Sequence, residues 1–353
     1  MNDYNRIVDA VRNKTTEWVP LYDHIVAPNV IEDITGGEFP DLTDLIDGDE
    51  ADRNEYFRKY NRFFEKAGYD AIPFECIIAG CLPGNRALYG HEPGSIHSMD
   101  DFKKYPWEEV PGYFKKKYYP LFRAFAANLP PGMKGVGGPG NGVFECVQDI
   151  TGYQNLCFIK YDDEELFRML FEKMGIAIEK IWKDFLGNFA DAYCIMRFGD
   201  DLGYKTSTLF PPEDIRGNIF PVYKRIIDMI HGAGKPFLLH CCGKIFSVID
   251  ELIELGIDAK HSNEDQIAPF SFWVDTYGKR IALFGGIDTD NLVRLDEKQI
   301  AELTKDVCSY SRGRCGFALG SGNSIAEYVP ASKYMAMNRA VREFRGEKDF
   351  FRL

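Results

Sequence analysis

Short apolar runs alternate with amphipathic helical patterns along most of this chain. Strand-like segments fall near residues 68–75, 134–140, 191–198, 235–239, 258–261, 280–286 and 316–320. Between two of them, apolar residues recur every three or four positions across residues 167–185, which predicts one face of a long helix. Repeated strand–helix units require parallel strands joined by right-handed crossovers. We therefore predict an α/β fold, and the number of units favours a TIM (β/α)8 barrel over an open sheet.

No linker-like or low-complexity stretch divides the sequence, so residues 1–353 are interpreted as a single barrel domain. Residues 1–65 are expected to form an N-terminal helical and loop extension that caps the barrel, and residues 66–345 the barrel itself. The glycine-rich run 134–140 lacks the G-x-G-x-x-G spacing of a dinucleotide site. The sequence therefore gives no support for a nucleotide cofactor.

Charge and cysteine content narrow the classes of partner. The formal net charge is −12 and no block of Lys and Arg stands out, which argues against a nucleic-acid groove. The first 19 residues lack the apolar core of a signal peptide, and no window resembles a membrane helix. Nine cysteines without a secretory context indicate reduced thiols. We expect a cytoplasmic protein that binds neither nucleic acid nor membrane.

A His-x-Cys pair followed by glycine ends the predicted strand near residue 239. Side chains alternate along a strand, so His240 and Cys242 share one face and Cys241 faces the other way. The carboxyl ends of barrel strands carry the chemistry of α/β enzymes, and imidazole and thiolate are zinc ligands. The pair predicts a zinc site at His240 and Cys242. The alternative is a hydrogen-bonded core histidine beside a small buried thiol.

Polar side chains follow the other predicted strands and are expected to form a ring at one mouth of the barrel. Candidates for substrate binding are Glu75, Glu145, Lys205, His261, Asp288 and Ser321. Asp200, Asp201 and Asn323 are the catalytic candidates. Asp200 or Asp201 is suited to acid–base work or to metal ligation, with Glu75 or Glu145 as substitutes. The alternative is that these residues are turn formers and helix caps.

Three stretches, residues 198–203, 239–243 and 319–324, resemble the uroporphyrinogen decarboxylase superfamily in order and spacing. The resemblance covers about residues 68–345. It implies a TIM barrel. Members of this superfamily include the tetrapyrrole decarboxylase and zinc methyltransferases that move methyl groups between corrinoids and acceptor thiols.

The chain is closer to the methyltransferase branch. His240 and Cys242 match its His-x-Cys ligands, while Asn323 stands where its further cysteine would be. A carboxylate from Asp200 or Asp201 would then complete the zinc site. With only one thiolate the metal would favour polarising an oxygen-linked donor.

The decarboxylase differs at three places. Its arginine-bearing segment corresponds to residues 19–24, which contain no arginine; its Phe-Ser-Asp is replaced by residues 74–76, and its Gly-His-Gly by residues 320–322. The acidic ring also suits a polycarboxylate poorly, because buried anions need partners.

We therefore expect a methyltransferase that moves a methyl group from a small donor, such as a methoxylated aromatic compound, to the corrinoid of a partner protein. The alternatives are a decarboxylase-like lyase that acts on a tetrapyrrole or small acid without metal, and a non-catalytic ligand-binding barrel.

Overall fold

A computed structural model describes residues 2–88 and 93–347. Residue 1 and residues 348–353, the ends of the predicted single domain, lie outside this description. One sheet contains seven strands, all parallel and ordered as they occur in the chain. The strands are β1 Ile72–Ile77, β2 Gly135–Gly140, β3 Tyr193–Gly199, β4 Phe237–His240, β5 Ala259–His261, β6 Ala282–Ile287 and β7 Phe317–Ser321.

Helices precede the first strand and connect the others, as expected for an α/β fold. Before β1 lie α1 Asn5–Val11, α2 Pro28–Thr35 and α3 Glu50–Ala67. The helices between β1 and β4 are α4 Met99–Lys104, α5 Val110–Ala127, α6 Val143–Thr151, α7 Tyr153–Asp162, α8 Glu164–Phe189, α9 Pro212–Asp214 and α10 Phe220–Gly232. The later helices are α11 Ile249–Leu255, α12 Phe270–Tyr277, α13 Thr289–Arg294, α14 Glu297–Ser311 and α15 Ala331–Phe344. Within the described residues no helix combines the length and apolar character that crossing a bilayer requires.

A (β/α)8 barrel has eight strands, but the described part of the chain has seven strands and one irregular segment in the place of the eighth. Residues 19–26, here called the N-terminal segment, run beside β7 through parallel bridges at Leu21–Leu319 and Val26–Ile325. The amide of Tyr22 donates to the carbonyl of Leu319 at 2.9 Å. Only isolated bridges form because the segment contains Pro20, which cannot donate, and leaves the β7 edge between the two contacts. The barrel prediction is correct in class and connectivity, but an eighth regular strand is not present among these residues.

The inner face of the sheet is enclosed, since side chains from distant strands meet across it. The guanidinium of Arg197 on β3 contacts Glu75 on β1 at 2.7 Å. The same group donates to the hydroxyl of Tyr22 at 2.8 Å and to the carbonyl of His24 at 3.1 Å. Arg197 is fully buried, so this pairing is needed to compensate its lost hydration. The ion pair thus ties β3, β1 and the N-terminal segment together.

Helix α8 has the apolar face predicted from its sequence. Every periodic position is buried: Phe167, Leu170, Phe171, Met174, Ile178, Ile181 and Phe185. Asp163 begins the helix by accepting a hydrogen bond from the amide of Leu166 at 2.9 Å. The face packs against α5, α6 and β2, which fixes the outer layer behind the strands that carry the site.

The packing at Gly320 yields a stability prediction. A Cβ at Gly320 would overlap the carbonyl oxygen of Tyr22, whereas Gly187, near the end of α8, has open space around it. Gly320→Ala should lower the free energy of unfolding by roughly 1–3 kcal/mol through overpacking. Gly187→Ala is the matched control and should raise it by about 0.5 kcal/mol. Urea unfolding monitored by circular dichroism measures both; equal stability of Gly320→Ala and the parent would contradict the contact.

Candidate metal centre

The alignment of three neighbouring strands brings two histidines together. Gly199 on β3 pairs in register with His240 on β4, which pairs with His261 on β5. Paired residues of parallel strands point to the same face about 4.8 Å apart. The two imidazole rings accordingly lie 4.9 Å apart, and their Nδ1 atoms are 2.7 Å from each other. His240 and His261 are both buried on the inner face.

Cys242 lies beside the other nitrogen of His240. Its Sγ is 3.3 Å from His240 Nε2, 3.5 Å from Asn323 Nδ2 and 3.4 Å from Ser262 Oγ. Cys241 is directed elsewhere, since its Sγ accepts a hydrogen bond from the amide of Leu202 at 3.4 Å. As the alternation of side chains along the strand predicts, Cys242 and not Cys241 lies next to His240.

Asp201 completes a cluster of three candidate ligands. The amide of Cys242 donates to Asp201 Oδ1 at 2.8 Å, which holds the carboxylate against the cysteine. One ligand atom each from Asp201, His240 and Cys242 lies within 4.8 Å of the others. A carboxylate oxygen, an imidazole nitrogen and a thiolate are all first-choice zinc donors. We call these three residues the candidate metal centre.

The burial of this centre fits occupation by a cation. Burial raises the pKa of the Cys242 thiol, with a further contribution from Asp201, and raises the pKa of Asp201 itself. Burial also lowers the pKa of His240, which keeps its imidazole neutral. A thiolate and a carboxylate in such surroundings need a compensating positive charge, and a divalent cation supplies it.

A second cluster of possible ligands shares His240 with the first. His24, His240 and His261 also have ligand atoms within 4.8 Å of one another. The ring of His24 stacks on that of His240 at 3.8 Å with an interplanar angle of 13°. Sequence reasoning missed His24, because the N-terminal segment was compared only for its lack of arginine. The one feature of the sequence that could have indicated His24 is its position at the end of the short apolar run in the N-terminal segment.

Asp200 and Asp201 are adjacent but have different surroundings. Asp200 is fully buried and accepts hydrogen bonds from the amides of Phe144 at 3.0 Å and Glu145 at 2.7 Å. Its remaining contact is the hydroxyl of Tyr223 at 2.7 Å. Burial raises its pKa to about 7. Asp200 thus secures the first turn of α6, and of the two acids the structure brings only Asp201 to the centre.

Glu145 holds the loop that follows β3 and contains Asp201. Its carboxylate accepts from Asn141 Nδ2 at 2.5 Å and from the amide of Asp201 at 3.2 Å. Burial, followed by the nearby Asp201 and Asp200, raises the pKa of Glu145. The structure therefore connects this candidate to the centre through the backbone of Asp201.

Four of the remaining candidates line one of two cavities. A cavity of about 380 Å³ at the mouth is lined by Lys205, Glu264, Asp288 and Asn323, among others. Asn323 connects it with Cys242. Asp288 also begins α13, accepting from the amide of Asp290 at 2.7 Å.

A second cavity of about 410 Å³ is lined by His24, Glu75 and Arg197, among others. Its other walls are mostly apolar or aromatic and include Tyr56, Tyr60, Phe74, Tyr118 and Leu121. The interior also contains a basic residue, since Arg197 is buried there. Its charge is nevertheless neutralised by Glu75, so Glu75 does not face the cavity as a free acid.

Ser321 contributes its backbone and not its hydroxyl to the histidine pair. The hydroxyl donates to Asp23 at 2.8 Å, while the carbonyl oxygen lies 3.0 Å from His261 Nε2. Ser321 and His261 are both buried, and neither is among the residues that line the mouth cavity.

Two solved structures illustrate the range of structural similarity. The chain is similar to a methyltransferase from Methanosarcina mazei with a TM-score of 0.69 and 14% identity, covering 98% of this chain and 99% of that one. A xylose isomerase-like TIM barrel protein from Mycobacterium smegmatis gives a TM-score of 0.39 and 10% identity, covering 93% and 97%. The first likeness shows the fold, and the second is too weak to carry an argument.

Comparisons of sequence identify the family. Among curated proteins no relative was found. The family model described as uroporphyrinogen decarboxylase (URO-D) matches residues 134–344, which include β2 to β7 and all three residues of the candidate metal centre. The match extends over more than half of the chain, and we conclude that this protein belongs to the uroporphyrinogen decarboxylase family.

Proposed function

We propose that this protein is a methyltransferase that moves a methyl group from a small donor to a corrinoid held by a partner protein. The observation that carries the proposal is the meeting of Asp201, His240 and Cys242 within 4.8 Å at the carboxyl ends of neighbouring strands. The structural likeness to a methyltransferase from Methanosarcina mazei supports it. A cytoplasmic location belongs to the same proposal and is supported by nine unpaired cysteines.

Asp201, His240 and Cys242 are the residues that would hold Zn²⁺. When bound there, zinc supplies Lewis acidity toward the heteroatom that carries the methyl group. The ligand set contains a single thiolate, and Asn323 and Ser262 donate hydrogen bonds toward its sulfur. Both features reduce the negative charge at the centre, which favours an oxygen-linked donor over a thiol.

The remaining role of this protein is to position the methyl donor. A reduced corrinoid on the partner would supply the nucleophile, so this chain's residues would have to bind the donor and orient its methyl group. Lys205, Asp288 and Asn323 line the mouth cavity, and Asn323 Nδ2 lies 3.5 Å from Cys242 Sγ, so a donor bound in this cavity would contact residues next to the centre. Lys205 faces Glu264 and Asp288 there, and this mixture of charges suits a donor with at most one charge.

Decarboxylation of a tetrapyrrole is the second candidate, and the family description favours it. A porphyrinogen with many carboxylates would need several cationic partners in the barrel. Arg197 is buried on the inner face, but its guanidinium is already bound by Glu75 at 2.7 Å. The mouth cavity adds one lysine against acidic neighbours. This charge distribution argues for the methyltransferase.

The first prediction concerns metal content. Protein purified without chelators should contain about one zinc per chain. His240→Ala and Cys242→Ala should lose this zinc, since each removes one of three ligands, while the matched control Cys241→Ala should retain it. Elemental analysis of the four proteins measures this. Zinc that is absent from the parent protein, or equal in all four, would contradict the centre.

A second prediction concerns Asn323, which lies 3.5 Å from Cys242 Sγ. Asn323→Cys should add a thiolate ligand and tighten zinc by on the order of tenfold, or about 1.4 kcal/mol. It should slow transfer from an oxygen-linked donor, because added thiolate charge reduces Lewis acidity. Competition with a chromogenic chelator measures the affinity, with Asn323→Ser as the control. Unchanged zinc affinity would mean that Asn323 does not lie next to the metal.

The third prediction separates the two reactions. Methyl transfer should occur only when donor, this protein and a reduced corrinoid protein are all present. Uroporphyrinogen alone should release no carbon dioxide, because its carboxylates would lose hydration without gaining partners. The assay follows the corrinoid spectrum in one arm and labelled carbon dioxide in the other. Carbon dioxide release at an enzymatic rate would replace the methyltransferase with the decarboxylase, whatever the metal content.

A further inference from the structure

We propose that His261 is a positioning residue that fixes the tautomer of His240, so that His240 presents an unprotonated Nε2 to the metal while His261 itself binds none. The inference deepens the proposed function and rests on its zinc centre. It is carried by the hydrogen bonds that link His240, His261 and Ser321.

The first step is the proton on His261 Nε2. This nitrogen lies 3.0 Å from the carbonyl oxygen of Ser321. A carbonyl oxygen only accepts hydrogen bonds, so Nε2 of His261 carries the proton. A neutral imidazole has one N–H, and therefore Nδ1 of His261 is left as an acceptor.

The second step follows at His240. Its Nδ1 is 2.7 Å from His261 Nδ1, and one of the two nitrogens must donate. Because His261 Nδ1 is the acceptor, His240 Nδ1 carries the proton and His240 Nε2 has a free lone pair. That lone pair is on the nitrogen 3.3 Å from Cys242 Sγ. The reverse arrangement would put protons on both nitrogens of His261, a charge buried without an acidic partner among the described contacts.

The carbonyl of Ser321, the first acceptor in this chain of hydrogen bonds, belongs to a residue that is itself held in place. Ser321 donates from its amide at 2.9 Å and from its hydroxyl at 2.8 Å to the same oxygen of Asp23. Asp23 also accepts from the hydroxyl of Tyr69. The Ser321 carbonyl shares its peptide with the amide of Gly322, which donates to the carbonyl of Ile287 at 2.6 Å, so it cannot turn away from His261 without breaking that bond. The N-terminal segment thus holds Ser321 on β7, Ser321 orients His261 on β5, and His261 orients the proposed ligand His240 on β4.

This arrangement decides between the two ligand clusters. The lone pair of His261 Nδ1 is occupied by His240, and its Nε2 is occupied by the proton directed at Ser321. His261 then has no lone pair to offer, which leaves the set of His24, His240 and His261 incomplete. The cluster of Asp201, His240 and Cys242 keeps all three donors. Ligating histidines commonly bond their second nitrogen to an acceptor, and here a second histidine is that acceptor.

Nitrogen NMR of the zinc-free protein tests the tautomers directly. The chain has six histidines, so ¹⁵N-labelled histidine gives few signals, and His240→Ala and His261→Leu assign two of them. We expect protonated Nδ1 and bare Nε2 at His240, with the opposite pattern at His261. A protonated Nε2 at His240 would overturn the proposal. The spectrum is informative even if the protein binds no zinc, an outcome that would defeat the proposed function separately.

Zinc affinity tests the consequence. His261→Leu removes the acceptor and should weaken zinc by roughly 10–100-fold. His261→Asn places an amide oxygen near the position of Nδ1 and should restore most of the affinity. His24→Phe keeps the ring stacked on His240 without any nitrogen and should bind zinc like the parent.

Three results of the affinity measurement would overturn the proposal. Equal losses in the Leu and Asn variants would mean that His261 is a ligand or only a packing residue. Unchanged affinity in both would mean that it does not act on His240. Loss of zinc in His24→Phe would assign the metal to the three histidines. The visible spectrum of Co²⁺-substituted protein, with its thiolate band, shows in each variant whether Cys242 remains bound.

Discussion

The register between β3, β4 and β5 is the constraint on which the site depends. It aligns Gly199, His240 and His261 across three strands. A shift of β4 by one residue would turn His240 toward the helices, because strand side chains alternate. It would also direct Cys241 inward in place of Cys242. The chemistry therefore depends on main-chain pairing before any side chain is considered.

Asp200 and Asp201 are adjacent at the end of β3 but differ in role. Asp200 has a structural role, and Asp201 is the proposed metal ligand. Asp200 uses its oxygens on backbone amides of α6 and on Tyr223. Asp201 then projects toward Cys242 from a loop that is fixed on both sides. Loss of activity in a variant of Asp200 would thus report on the position of α6 and of this loop, and an acid–base role could not be deduced from it.

Local patterns predicted more of this protein than long-range ones. Periodicity gave the buried face of α8, and alternation selected His240 and Cys242 over Cys241. The pairing of Arg197 with Glu75, and the stacking of His24 on His240, join residues far apart in the sequence, and no local pattern encodes them. The expected eighth strand failed for a related reason: whether the N-terminal segment pairs regularly depends on β7, about 300 residues later.

That separation governs the order in which the molecule can assemble. The N-terminal segment is synthesised early, but its backbone partners, Leu319 and Ile325, are among the later residues of the chain. Closing so long a loop must follow the folding of the intervening units, and the segment stays unpaired on the ribosome until β7 emerges. The face of His240 that His24 covers is open throughout synthesis. We therefore expect the surroundings of the centre to be completed late in folding, after its proposed ligands have been synthesised.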